Sequence, residues 1–255
     1  MGSEMCIRDR CKARYSELVA GAVNKRAEEI GMRVNGNKTQ LLMVSQPNGF
    51  NNRAYLTVNG NKVESGNEMK LLGFVFGERP NADAHVKEIK RKFRGRFWSL
   101  IHLRRSGFTG NELMNLFNIF VRPIIEYCCV IYHPLLTVSQ SDEIEKMQRQ
   151  AAKLAFGWHK SYDVICAEQN IQTLKTRREA YIDSFTLKAL RSNRFSTSWF
   201  PLRDQTEHDL RDRRPYRETR ARTKRFFNSP LSFMRRRAND LFIEASRDIA
   251  HDVSY

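Results

Sequence analysis

The chain has 255 residues, room for one or two domains, and 41% of them are hydrophobic, enough to build real cores. Its formal charge of +16 favours a polyanionic partner, because each phosphate neutralised by lysine or arginine releases a condensed counterion, although a soluble protein that is simply basic fits the same number. Cysteines at 6, 11, 128, 129 and 166 make no disulfide framework, no Cys-x-x-Cys or paired-histidine spacing marks a zinc site, and Arg122, Glu126 and His133 break the longest apolar stretches short of membrane length.

In chain order, Leu18, Ala22, Val23, Ala27 and Ile30 recur at helical spacing between Tyr15 and Met32, with Gly31 as the stop. Leu41 to Val44 reads as a buried strand. Tyr55 and Thr57 lead into Asn59-Gly60, a tight-turn signal between two short strands, and Met69 to Phe76 reads as one further, nearly continuous apolar strand. After Arg79-Pro80 the pattern turns helical. Val86, Ile89, Phe93, Phe97 and Leu100 form one apolar stripe, with Lys87, Lys90, Arg91 and Arg94 largely opposite. A second helix, Asn111 to about Tyr132, is apolar nearly all round and is expected to bend or break at Pro123. Within it, Cys128 and Cys129 read as buried small hydrophobes of a reducing compartment. Ser139 with Asp142 is the expected cap of a helix ending at Phe156-Gly157, and Thr173 that of a helix through Leu190.

The C-terminal stretch interleaves Arg213, Arg214, Arg217, Arg220, Arg222, Lys224, Arg225, Arg235 and Arg236 with Tyr216, Phe226, Phe227 and Phe233. Guanidinium groups clamp phosphate and rings stack on bases, so the pattern suits a nucleic-acid surface. It suits equally a solvated arm whose rings tuck against the helices.

Several of these segments resemble the C-terminal half of non-LTR retrotransposon polyproteins, particularly the jockey-like group. Asn35-Gly36-Asn37-Lys38-Thr39 is similar to the family's Asn-x-x-Lys-Thr element, and Lys70-Leu71-Leu72-Gly73 to its primer-grip motif. Val121-Arg122-Pro123-Ile124-Ile125-Glu126-Tyr127, Tyr132-His133-Pro134, Ile144-Glu145-Lys146-Met147-Gln148-Arg149 and Phe227-Asn228-Ser229-Pro230-Leu231 resemble the region after the palm. The resemblance implies an α+β protein: an incomplete palm remnant of a reverse transcriptase (11–80; a helix plus short antiparallel strands), a mainly helical thumb-like domain (81–195) and a basic C-terminal arm (196–255). Met5-Cys6-Ile7-Arg8-Asp9-Arg10 resembles translated sequencing-adapter sequence, which sets residues 1–10 apart and places the start of the true coding sequence near Cys11.

The resemblance also implies roles. Lys38 is the expected general acid to departing pyrophosphate. Lys70, Leu71, Leu72 and Gly73 would hold the primer end. Lys87, Lys90, Arg91 and Arg94 would track phosphates of a template–primer duplex, with Arg213, Arg214, Arg217, Arg220, Arg222 and Arg225 as further nucleic-acid contacts. The intact parent would be an RNA-directed DNA polymerase using magnesium, in the nucleus or in a cytoplasmic ribonucleoprotein. Its metal-binding aspartate pair has no counterpart, for no Asp-Asp occurs in the sequence. The expectation is therefore a chain with no metal site and no cofactor of its own, which binds an RNA template, RNA–DNA hybrid or target DNA, and no membrane, without polymerising. The alternative is a non-catalytic nucleic-acid-binding protein derived from such an element. A palm cut short leaves an unpaired sheet edge, so residues before 80 are expected to be marginal while the helices from 85 to 190 hold together.

Overall fold

Pro80 marks the division of the chain into two units, Met1–Pro80 and Asn81–Tyr255. The computed structural model describes residues 17–43, 55–79, 81–203 and 214–252, with residues 225 and 245–252 described by backbone alone. The chain is α+β, mostly helical with a few short strands.

The first unit opens with helix α1 (17–29), which ends just before Gly31. A single turn of 3-10 helix (Gly36–Lys38) precedes strand β1 (Leu41–Leu42). Strands β2 (Tyr55–Val58) and β3 (Asn61–Gly66) form a hairpin whose turn, Asn59-Gly60, has positive φ at both residues, as a two-residue turn matching strand twist requires. On β2, Leu56 and Val58 point inward and Tyr55 and Thr57 outward. β1 joins the far side of β3 in parallel, Leu41 opposite Ser65, so the expectation of antiparallel strands alone needs correcting.

The expected single strand from Met69 to Phe76 is instead a second hairpin, β4 (Glu68–Leu71) and β5 (Phe74–Gly77), turning at Leu72-Gly73. Both turn residues have positive φ, 48° and 86°. A leucine carries no turn signal, which is why the run reads as continuous from sequence. Only Phe74 and Val75 of this hairpin are buried. Leu18, Val19 and Val23 of α1, and Ile30 just past its end, are exposed, so most of the apolar stripe that specifies the helix is uncovered among the described residues.

The second unit begins with α2 (Asp83–Arg105), which buries Val86, Ile89, Phe93 and Leu100. Helix α3 (Gly110–Leu116) starts with a Thr109–Glu112 capping box and widens into a π turn over Phe117–Val121. That wider turn lets Pro123 sit at the start of a new helix, α4 (Arg122–Glu126), where its missing N–H costs nothing. The chain breaks four residues later than Pro123, at Tyr127-Cys128, where Cys128 is left-handed (φ 57°). Helix α5 (Cys129–Tyr132) and a 3-10 turn (His133–Leu135) follow. Cys129 is buried and its thiol pushed up to about 11 by burial, whereas Cys128 is half-buried. The region is less uniformly interior than its composition implies, for Ile119 and Phe120 are 63% and 57% exposed.

Helix α6 (Val138–Phe156) is the centre of the unit. Its cap is Thr137, in a reciprocal box with Gln140, two residues before the expected Ser139. Ile144, Met147, Ala151, Ala152 and Ala155 line its buried side, and the small alanines let α2 and α3 approach closely. Helix α7 (Tyr162–Glu168) follows, then α8 (Leu174–Arg191), capped by Thr173 as expected, and the short α9 (Ser196–Trp199). Helices α10 (Lys224–Phe227) and α11 (Pro230–Asp252) complete the unit. Ile182, Ala189, Phe200, Met234 and Ala238 form a shared core between α8 and α11. Much of the described part of the segment read as a separate arm (196–255) is thus packed into the helical unit.

A buried polar knot joins these helices. Arg178 on α8 is fully buried, and it donates to His133 Nδ1 (3.2 Å) and to Ser141 Oγ (3.0 Å) on α6. Beside it, Arg177 pairs with Glu126 of α4, and the Tyr132 hydroxyl donates to the Ile125 carbonyl. Glu145 accepts from the Tyr162 hydroxyl (2.7 Å) and from the first backbone N–H groups of α8, while Gln148 donates to Tyr162 and to the Gln172 carbonyl.

Burial, joined by the Arg178 charge at His133 and by Lys92 at His85, lowers both histidines from 6.5 to about 4. Between about pH 6.5 and 4 the unfolded chain therefore binds more protons than the folded one, and stability falls as pH falls through that window. Melting temperature followed from pH 7 to 4 should drop, and His133→Asn, which keeps an acceptor for Arg178 but cannot titrate, should flatten the decline. An unchanged slope in that variant would remove His133 from the account.

Candidate nucleic-acid interface

One solvent-facing side of α2 carries Lys87, Arg91 and Arg94 at helical spacing, and Trp98, 63% exposed, continues the row one turn on. The opposite stripe is buried in the core, so the helix cannot rotate this row away. Arg91 lies on the exposed side and pairs within one turn with the largely covered Glu88 (2.6 Å). Lys90 does not share the row. It turns toward α6 and pairs with Glu143 (2.8 Å), which lies below the usual carboxylate range because of that lysine. The Trp98 ring packs edge-on against His102 (3.9 Å between centroids). It was missed from sequence because an isolated aromatic opposite an apolar stripe gives no signal until the helix phase is fixed.

The arginines of the C-terminal segment fall into two groups. Arg235 donates to the Trp199 carbonyl (2.6 Å) and to Thr219, Arg236 stacks on Phe227 (3.6 Å to the ring centroid), and Arg237 makes a two-pronged pair with Asp183 (2.8 and 2.7 Å). These side chains fasten α11 to its surroundings. Arg214, Arg217, Arg220 and Arg222 are exposed along the strand-like segment leading to α10, with Arg214 near Glu218 (3.2 Å). Buried Asn239 fixes that segment, exchanging both hydrogen bonds with the Tyr216 backbone (3.0 and 3.1 Å). Arg213 and the Arg225 side chain lie outside the described residues.

In the first unit, Asn35 caps its own turn, accepting from the Asn37 N–H (3.0 Å), and Thr39 Oγ1 donates to the Asn35 carbonyl (2.9 Å). Gly36 lies so close to the β2–β3 hairpin that a Cβ there would meet the Asn61 side chain at 2.9 Å. These bonds account for Asn35, Gly36 and Thr39 and leave Lys38 exposed on the outside of the turn. Lys70 and Leu71 end β4 on exposed positions, and Leu72, 85% exposed, is the tip of its hairpin. Lys38, the hairpin tip and the α2 row therefore each face solvent from its own element.

Among the described residues no three His, Cys, Asp or Glu side chains gather into a metal-binding group, and no single helix is long and apolar enough to cross a membrane. Comparison with protein-family models, with curated proteins and with solved structures finds no match to this chain.

Leucine at a left-handed position costs roughly 1–2 kcal/mol, whereas asparagine visits that conformation readily. Leu72→Asn should therefore stabilise the first unit by about 0.5–1 kcal/mol in urea unfolding. Destabilisation would mean that the leucine side chain holds the hairpin in place.

Proposed function

We propose that this chain is a C-terminal piece of a jockey-like non-LTR retrotransposon reverse transcriptase and that it binds RNA or RNA–DNA hybrid without polymerising. The order of the Asn-x-x-Lys-Thr, Lys-Leu-Leu-Gly and Arg-Pro-Ile-Ile-Glu-Tyr runs supports the family reading. The row Lys87, Arg91, Arg94 and Trp98 carries the binding reading: three cations and a flat ring on one rigid, solvent-facing side of a helix. Cations in a row meet successive phosphates and read no base, while the ring stacks on an end or an unpaired base. The sequence holds no Asp-Asp pair to grip two magnesium ions, so binding is the property proposed for this chain, and primer holding at Lys70–Gly73 and acid catalysis at Lys38 belong to the intact parent.

Affinity for a labelled RNA–DNA hybrid, measured by anisotropy across a salt series, tests this. The wild-type chain should lose affinity steeply with salt and bind unrelated sequences alike. Lys87→Ala with Arg94→Ala should weaken all of them together and lower the salt slope by about 2. Unchanged affinity and slope in that variant would sink the assignment of this face.

A further inference from the structure

Where the chain breaks between α4 and α5, a groove of about 260 Å³ opens against α8. Its lining includes Glu126, Cys128, Val130, Tyr181, Phe185 and Lys188, and it is mainly apolar. Tyr181 and Phe185, 45% and 40% exposed, stand one turn apart on α8 and present their rings to it. The Tyr181 ring is fixed at its tip: the hydroxyl meets Glu126 Oε2 (3.3 Å) and Arg177 Nη2 (3.2 Å). The Phe185 ring continues into further aromatics, Trp199 at 6.4 Å and then Phe195 at 4.5 Å from Trp199, with Arg194 over the Phe195 ring at 5.6 Å.

Charge decides what such a row of rings suits. The one carboxylate lining the groove, Glu126, is matched by Arg177 and lies 3.8 Å from Arg122, so it presents no net negative field. Lys188 stands at the lip, and exposed Arg191 follows it on the same side of α8. Rings held in place and rimmed by cations complement a chain that is itself flat rings joined by phosphates. An apolar peptide would find the rings but leave the cations unanswered.

We infer that this groove is a stacking site for single-stranded RNA or DNA, with bases on Tyr181 and Phe185 and flanking phosphates met by Lys188 and Arg191. It rests on the reading of the chain as a nucleic-acid binder and adds to the duplex-tracking row on α2 a separate seat for an unpaired strand. Because the rings are already positioned by Glu126, Arg177 and Trp199, little side-chain freedom is lost on binding.

Anisotropy of a labelled short oligouridylate, measured alongside an RNA–DNA hybrid on the full chain, provides the test. Phe185→Leu keeps an apolar side chain and removes the flat ring. It should weaken oligouridylate binding roughly tenfold and leave hybrid binding within about twofold. Phe185→Trp should restore or tighten it. A Leu variant that binds oligouridylate as the wild type does would overturn the inference while the salt-dependent hybrid binding of the α2 row stood. A wild-type chain that binds neither probe would overturn both readings. Self-association abolished by Phe185→Leu, seen by sedimentation velocity with no change in oligouridylate affinity, would make the groove a contact between copies and end the stacking assignment.

Discussion

The first half of α8 is arranged around a guanidinium that bulk solvent does not reach. Arg178 is fully buried, and its two ordered contacts are to neutral acceptors, a histidine ring nitrogen and a serine hydroxyl. Taking a charge out of water costs several kcal/mol even after relaxation, so a buried arginine of this kind is weak evidence of net stabilisation. What it supplies is register. His133 offers Nδ1 as an acceptor only while neutral, and Arg178 reaches it only if the turn after α5, the start of α6 and the first half of α8 stand at fixed heights. The Arg177–Glu126 pair beside it locks α4 to the same helix. Removing one partner of such a buried set leaves the other stranded, at a cost of about 3–5 kcal/mol.

The same helix then serves the outer layer. Ile182 and Ala189 of α8 meet Met234 and Ala238 of α11, and Arg237 reaches back to Asp183 between them. Charge and packing thus alternate along α8: a polar knot at its start, an apolar seam behind, and exposed rings on the remaining side. The positive charge of the chain is correspondingly divided. Arg177, Arg178, Arg235, Arg236 and Arg237 have structural work inside the unit, so the charge open to a polyanion is smaller than the formal +16 and is set by position.

Elements whose signal is local were legible in the sequence. The α2 stripe, the Asn59-Gly60 turn and the Thr173 cap rest on helical period, turn chemistry and a side-chain oxygen three residues from its donor, none of which needs the rest of the fold. Thr137 and Ser139 both fit a cap pattern, and what separates them is the reciprocal bond that the Thr137 backbone N–H donates to the Gln140 side-chain oxygen. The Leu72-Gly73 turn was hidden because leucine opposes the conformation it adopts there. In the candidate site, the period predicted the row Lys87, Arg91 and Arg94 but not the diversion of Lys90, because Glu143 lies 53 residues further along the chain. The basic and aromatic composition of the C-terminal segment is equally ambiguous until packing assigns Arg236 to Phe227 and leaves Arg217, Arg220 and Arg222 outside.

Several of the helical unit's residues on which the proposed family reading rests have internal work to do. Glu126, Tyr132, His133, Glu145 and Gln148 each hold another helix in place. A pattern of that kind belongs to a scaffold, and a scaffold can be shared by proteins that use its surface differently. Function in this chain therefore has to be argued from side chains that the scaffold presents but does not need. On α2 these are the cations of the outer row and Trp98; on α8 they are Phe185 and Lys188. Each is exposed on an otherwise anchored helix and is held only by short-range neighbours, Glu88 at Arg91, His102 at Trp98 and Trp199 at Phe185, so its position is set in advance of any ligand.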